Sequence, residues 1–294
     1  MSRLKDNVNG GPSELRGLLK RDIVVAPGVF SGISAIVAER AGFRAAYLSG
    51  SGVAGTMGLP DLSVTTLPEV AAETYRVTTV TRMPLIVDVD TGFGETVNVM
   101  RTVRMLEDAG AAAIHIEDQE QPKKCGHLNG KRVIDRDDMV RKIRAAVSTR
   151  KNDDFMIIAR TDARSINGIE DAIDRANAYL EAGADAIFTE ALESREEFVE
   201  MRKKVKGNLM ANMTEDGKSP LLSVADLKEI GYNIVIFPLT AFRGMLKAID
   251  SIYKDLMKDG TQRNFLDRIM RRSEFYDLIG YYDYEKEDNV FYKI

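Results

Sequence analysis

Four times in this 294-residue chain a glycine closes a helix-like stretch and a short apolar run begins within a few residues. Ala41-Gly42-Phe43-Arg44 leads into Ala45-Ala46-Tyr47-Leu48-Ser49-Gly50, and Ala109-Gly110-Ala111 leads into Ala112-Ala113-Ile114-His115-Ile116-Glu117. Ala182-Gly183-Ala184-Asp185 precedes Ala186-Ile187-Phe188-Thr189-Glu190, and Ile230-Gly231-Tyr232-Asn233 precedes Ile234-Val235-Ile236-Phe237-Pro238. A glycine past the last turn ends a helix, and an apolar run too short for a new helix reads as a strand. Further apolar runs at residues 23–26, 84–90, 156–162 and 209–213 bring the candidate strands to eight.

Strands apolar on both faces, alternating with amphipathic helices, belong to a parallel sheet, and eight such units close into a (β/α)8 barrel of the TIM type. An open doubly wound sheet is the alternative. No G-x-G-x-x-G stands at a strand-to-helix turn to support its dinucleotide-binding form. The barrel is expected over about residues 22–240, with a helical extension over about 241–294 and no polar linker dividing the chain, so 1–294 reads as one domain. Phe242, Met245, Leu246, Ile249, Ile252, Tyr253, Leu256 and Met257 predict one extension helix ending at Gly260. Phe265, Leu266, Ile269, Met270, Leu278 and Ile279 predict a second, and both stripes need the barrel or a neighbouring subunit to cover them.

Composition removes whole classes of function. Lys and Arg number 41 against 45 Asp and Glu, a net charge of -4, so there is no electrostatic footprint for nucleic acid or an anionic membrane. No run of about 18 apolar residues occurs, and the charges Arg3, Lys5, Asp6 and Glu14 interrupt any signal-peptide core. Cys125 is the single cysteine and cannot form an internal disulfide, which suits a cytoplasmic enzyme.

In a (β/α)8 barrel every strand delivers its last residues to one rim, where active sites form. Here Ser49, Asp88, Asp90, Glu117, Arg160, Glu190 and Asn212 stand at predicted strand ends. Asp88 and Asp90, two apart on a strand, should share a face and repel unless a cation relieves them, which suits Mg²⁺ ligation with Glu117 towards the ion or its waters. The plainer alternative makes Asp90 a helix N-cap and Asp88 a salt-bridge partner. Residues 119–132, QEQPKKCGHLNGKR, form a polar loop longer than barrel loops usually are, as lids do. Lys123, Lys124 and His127 beside Cys125 should lower its thiol pKa and make it an acid or base, whereas Cys125 and His127 alone would make a poor zinc site. Arg160, Arg243 and Arg272 are candidate carboxylate ligands, Arg being able to hold a carboxylate with two hydrogen bonds.

Lys123-Lys124-Cys125-Gly126-His127 and Asp88-Val89-Asp90-Thr91-Gly92-Phe93-Gly94 resemble the lyase loop and metal segment of the isocitrate lyase and phosphoenolpyruvate mutase superfamily. Within it the chain is most similar to the 2-methylisocitrate lyases, through Tyr47-Leu48-Ser49-Gly50, Ala211-Asn212-Met213-Thr214-Glu215, residues 237–243, Gly260-Thr261-Gln262, residues 272–276 and residues 281–285. The resemblance implies Mg²⁺ on Asp88 and Asp90, Cys125 as acid on a mobile loop with Gly126 and His127, and substrate carboxylates on Ser49, Gly50, Ser51, Arg160, Asn212, Thr214, Arg243 and Arg272. It further implies Mg²⁺-dependent carbon–carbon cleavage of a small tricarboxylate to pyruvate and succinate, in a homotetramer whose subunits exchange a helix. Tyr47, beside Ser49, is the nominated base. Leu128-Asn129-Gly130-Lys131 departs from the Arg that often follows the loop His, which keeps isocitrate lyase, oxaloacetate hydrolase and phosphorylmutase activities in view. A non-catalytic barrel that binds organic acids is the reading of another class.

Overall fold

A computed structural model describes residues 10–292; Arg3, Lys5 and Asp6, read above as interrupting a signal peptide, lie outside the described residues. Eight parallel strands close into a barrel in chain order: β1 (Val24–Val29), β2 (Ala46–Leu48), β3 (Leu85–Asp88), β4 (Ala113–Glu117), β5 (Met156–Thr161), β6 (Ala186–Thr189), β7 (Asn208–Asn212) and β8 (Ile234–Phe237). β8 returns to β1 through Val24 opposite Ile234 and Ala26 opposite Ile236. All eight candidate strands are present, and the sheet is closed, which removes the open alternative.

The four glycine stops show why the repeat was legible. Gly42, Gly110, Gly183 and Gly231 have φ of 97°, 87°, 102° and 101°, a region L side chains rarely adopt. In each, the next amide reaches back five residues: Phe43 to Ala38, Ala111 to Leu106, Ala184 to Tyr179 and Tyr232 to Leu227, at 2.9–3.3 Å. That bond satisfies a carbonyl the helix end would leave bare, and it turns the chain into the strand.

Side-chain alternation then builds two cores. Outward residues such as Val87, Ile114, Ile157, Ile187, Leu209 and Val235 pack under the helices, against Val103, Ile143, Ala176 and Met201. Inward residues Val24, Ala26, Ile86, Ala113, Met156, Ile158, Met210 and Ile234 fill the barrel. A first helix, α1 (Gly11–Leu19), plugs the N-terminal end with Leu15 and Leu18. Each such large apolar side chain contributes roughly 1.5–3 kcal/mol on burial. The plug leaves the opposite rim, where the polar strand ends are, as the open end.

Between strands run α2 (Gly32–Arg40), α3 (Gly50–Thr56), α4 (Leu67–Thr78), α5 (Thr96–Asp108), α6 (Arg136–Thr149), α7 (Arg164–Asn167), α8 (Ile169–Glu181), α9 (Arg195–Lys204) and α10 (Val224–Ile230). After β8 come α11 (Thr240–Asp259), α12 (Arg272–Ile279) and α13 (Tyr281–Phe291). α11 ends at Gly260, as expected, with φ 60°. The second expected helix is broken. Residues 263–268 form a 3-10 turn with Phe265 non-helical at φ −143°, and α12 starts afresh where Glu274 accepts the Arg271 amide at 2.9 Å. Among the described residues the extension's stripes are poorly covered: Leu246, Leu256 and Met257 are 47%, 41% and 89% exposed. No helix of the described residues is long and apolar enough to cross a membrane.

Candidate active site

Inward residues become polar toward the open rim. Tyr47 on β2, His115 on β4 and Phe188 on β6 sit side by side, the first two stacked at 5.6 Å and the last edge-on to His115. The Tyr47 hydroxyl lies 2.7 Å from His115 Nε2, which is 3.2 Å from Asp88 Oδ1. Burial pushes the imidazole down to about 4 against the pull of Asp88, so His115 is neutral at working pH. Burial, then the Asp88 charge, holds the Tyr47 phenol well above its ordinary value. His115 was missed, although the alternation of Ala113, His115 and Glu117 already put it on the inward face.

Asp88 ends β3 and accepts the Gly50 amide at 3.0 Å and the Asp90 amide at 3.1 Å. Gly50, expected to contact substrate, here directs its N–H at Asp88. Asp90 is not on the strand: the chain leaves β3 first and turns left-handed there, with φ 48°. Both carboxylates still converge, since a Cβ on Gly50 would stand 3.1 Å from Asp88 Oδ2 and 3.4 Å from Asp90 Oδ1. The N-cap of α5 is Glu95, so Asp90 is not a capping residue. Their charges split as mutual repulsion requires. Burial opposes the Asp88 charge, yet His115, Lys123 and Arg160 outweigh it and bring the carboxyl to about 2. Burial and the Asp88 charge lift Asp90 to about 6.

Arg160, from the end of β5, is buried among carboxylates. Its Nε and Nη2 donate to Asp162 at 2.9 and 3.2 Å, and it lies 3.2 Å from Glu117 and 3.3 Å from Glu190. Its guanidinium covers the Phe188 ring at 5.1 Å. Burial raises Glu117 well above the usual carboxylate range. Glu190 also accepts the Ala191 amide at 2.9 Å and lies 3.2 Å from His127 Nε2, so it supports Arg160 and the loop.

The loop at residues 119–132 lies over the rim. Gln119 pairs with Val133 in a short antiparallel bridge, and its side-chain amide binds Lys124 both ways, at 2.8 and 3.0 Å. Lys123 reaches between Asp61 and Asp90, and the His127 Nδ1 accepts the Lys218 amide at 3.0 Å. The Cys125 thiol is raised, by burial first, where the flanking charges had predicted a lowered value. Lys123 is taken up by Asp61 and Asp90, while Lys124 turns back to the Gly130 carbonyl at 3.1 Å. A raised thiol is protonated at neutral pH, the state an acid needs.

Beneath the loop is a cavity of 60 Å³ lined by Tyr47, Ser49, Ser51, Asp88, Cys125, Gly126, His127, Arg160, Glu190, Asn212 and Thr214, with Asp61, Lys123, Phe188, Pro238 and Leu239. That is room for only a few waters, with the loop residues Cys125, Gly126 and His127 forming part of its wall. Asp90 lines a neighbouring cavity of 330 Å³ with Ser63, Arg101 and Gln121. Arg243 and Arg272 do not line the site. Arg243 is half exposed and donates to Asp216 at 2.6 Å, and Arg272 is exposed in the first turn of α12. Asp61 and Lys123 reach the site from loops, where no periodicity announces them.

Among the described residues no three His, Cys, Asp or Glu side chains converge as a complete metal site. Mg²⁺ asks for less: one or two carboxylates plus waters and substrate oxygens. Asp90 Oδ1 meets the Lys123 ammonium at 2.9 Å, and among the described residues both Glu117 oxygens are buried without a hydrogen-bond partner. Unsatisfied hard oxygens fit such a cation.

Residues 15–257 match the family model described as phosphoenolpyruvate phosphomutase. A 2-methylisocitrate lyase of Aeropyrum pernix is 58% identical, over 93% of this chain and 89% of that protein. The crystal structure of a 2,3-dimethylmalate lyase superposes with a TM-score of 0.89 at 37% identity, covering 96% and 95% of the two chains. A phosphonopyruvate hydrolase solved with oxalate and Mg²⁺ gives 0.86 at 28% identity, over 95% and 98%.

Proposed function

The chain belongs to the phosphoenolpyruvate mutase and isocitrate lyase superfamily, and on that premise we propose that it is a carbon–carbon lyase cleaving 2-methylisocitrate to pyruvate and succinate. What supports this reading most is a protonated thiol, Cys125, held at a small cavity whose walls carry Arg160, Asp88 and Tyr47. The 58% identity to a lyase of that name supports the choice of substrate.

Cleavage breaks the C2–C3 bond. The C2 hydroxyl loses its proton, the pyruvate carbonyl forms, and the bonding pair stays on C3 as the aci-carboxylate of succinate. The Tyr47 hydroxyl, 2.7 Å from His115 Nε2, would relay that proton toward the His115–Asp88 pair. Arg160 stabilises the extra negative charge on the succinate half. Cys125 gives its S–H proton to C3 with the loop shut and water excluded. Ser49, Ser51, Asn212 and Thr214 hold the carboxylates. Asp88 and Asp90 are the residues that would hold Mg²⁺, with Glu117 toward its waters, and the ion supplies Lewis acidity that eases loss of the hydroxyl proton.

The bare stripes of α11 and α12 are covered by further copies of the chain in a homotetramer, which also brings Arg272 to a neighbour's rim. A lone thiol kept reduced suits the cytoplasm. The test is product formation from 2-methylisocitrate, isocitrate, oxaloacetate and 2,3-dimethylmalate in parallel. Pyruvate from 2-methylisocitrate, abolished by EDTA and restored by Mg²⁺, is expected to exceed glyoxylate from isocitrate. Faster turnover of another of these acids would move the protein to that sister activity.

A further inference from the structure

Lys131, the last lysine of the loop, is buried, and its ion-pair partner Asp162 is fully so, with side-chain exposures of 1% and 0%. A charge so placed costs desolvation free energy unless its partners are well formed. Its ammonium donates to the Gly126 carbonyl within the loop and to Asp162 Oδ1 at 2.7 Å on the barrel rim. Asp162 Oδ1 and Oδ2 are the same oxygens that receive Arg160 Nη2 and Nε. The loop presses on Arg160 directly as well: a Cβ on Gly126 would lie 2.5 Å from Arg160 Nη2 and 2.3 Å from Glu190 Cγ. Asp162 is itself fixed from behind, its amide donating to Asp118 Oδ1 at 2.9 Å. The partner that can leave is therefore the loop.

We propose that Lys131 is the latch of the lid, a positioning residue whose ammonium fastens the Gly126 carbonyl to the Asp162–Arg160 pair, so that closing the lid and setting Arg160 are one event. Lys131 is not among the residues that line the cavity. Its effect runs through the peptide next to Cys125 on one side and through Asp162 on the other. The inference rests on the lid reading above, and its test does not use the substrate.

Cys125 is the only thiol in the chain, so iodoacetamide labels one site and its rate reports lid opening. Lys131→Met is expected to be alkylated about tenfold faster than the parent or more, as loss of a buried ion pair shifts a two-state lid toward open. Removing a nearby positive charge would by itself raise the thiol pKa and slow the reaction, so the two effects are separable by sign. Lys131→Arg keeps charge and donors and should stay within about threefold of the parent. Amide hydrogen exchange should rise in residues 119–133 and not in the barrel strands. Alkylation of Lys131→Met within about twofold of the parent contradicts the latch. So does Lys131→Arg reacting as fast as Lys131→Met, or exchange rising across the barrel. If Lys131→Met does not fold, Lys131→Gln takes its place under the same readings. Failure of 2-methylisocitrate to react would leave these alkylation outcomes unaffected.

Discussion

Asp162 shows how much one buried carboxylate can contribute when both neighbours are cations. Burial works against its charge, but Arg160 and Lys131 outweigh that and hold it at about 2 against an ordinary 3.8. A depressed folded pKa gives stability that is complete above the unfolded value and lost as pH falls through the folded one. The window is therefore about pH 4 down to about 2, and the contribution about 2 kcal/mol. Urea unfolding at pH 5 and pH 2.5 should show that the parent loses its advantage over Asp162→Asn by about this amount. A gap independent of pH would remove the charge argument. At Cys125 the expected effect is catalytic: Cys125→Ser keeps the shape, loses a good acid, and should lower kcat by about 10²–10⁴-fold with the fold intact, checked by circular dichroism. Cys125 was legible as a residue to watch because a lone thiol in a polar glycine-bearing loop is unusual. Its pKa direction was not, since it depends on where Lys123 and Lys124 turn, and sequence adjacency does not fix that.

The strands were readable because their signals are local. A glycine stop and an apolar run lie within ten residues of each other in the Ala109–Glu117 segment, and the left-handed φ of Gly110 follows from its missing Cβ. The break inside the second extension helix, between residues 263–268 and α12, was not readable in the same way. Phe265, Leu266, Ile269 and Met270 keep helical spacing, yet Arg268 turns back to Asp255 at 2.6 Å and Ser251 at 2.9 Å, a contact made only once α11 exists. Asp90 illustrates the same limit over a shorter span. The alternation correctly implied that it meets Asp88, though the chain reaches that meeting by a left-handed turn past β3. At the lid, backbone approach is decisive. Gly126→Ala puts a methyl carbon where Arg160 and Glu190 already stand, so the lid should be held off the rim and kcat should fall about 10²-fold or more. The midpoint of thermal unfolding should move little, because an open lid leaves both cores packed. An alanine variant with parent-like kcat would show that the lid need not seat so closely.

For the molecule as a whole, the barrel supplies one rim, and α1 closes the other end. The polar residues of eight strands thus have a single place to meet. What the barrel does not supply is a cover for α11–α13, where Met257, Tyr253 and Phe291 are 89%, 67% and 72% exposed. Apolar side chains left exposed together are what the homotetramer proposed above would cover. Sedimentation velocity should find a multiple of the chain mass, and Leu246→Glu with Met257→Glu should shift it toward the monomer. A parent that sediments as a monomer would overturn the assembly. The substrate lies beyond what the rim alone specifies, because superfamily relatives of differing names share this fold at TM-scores of 0.86–0.89. The central claim, cleavage with protonation by Cys125, is tested most directly by running the reaction on 2-methylisocitrate with Mg²⁺ in D₂O and following both products by NMR. Pyruvate and succinate formed in equal amounts, with one deuteron on a single succinate carbon, and no comparable turnover in Cys125→Ser, are the predicted result. Succinate formed by Cys125→Ser at the parent's rate would contradict it.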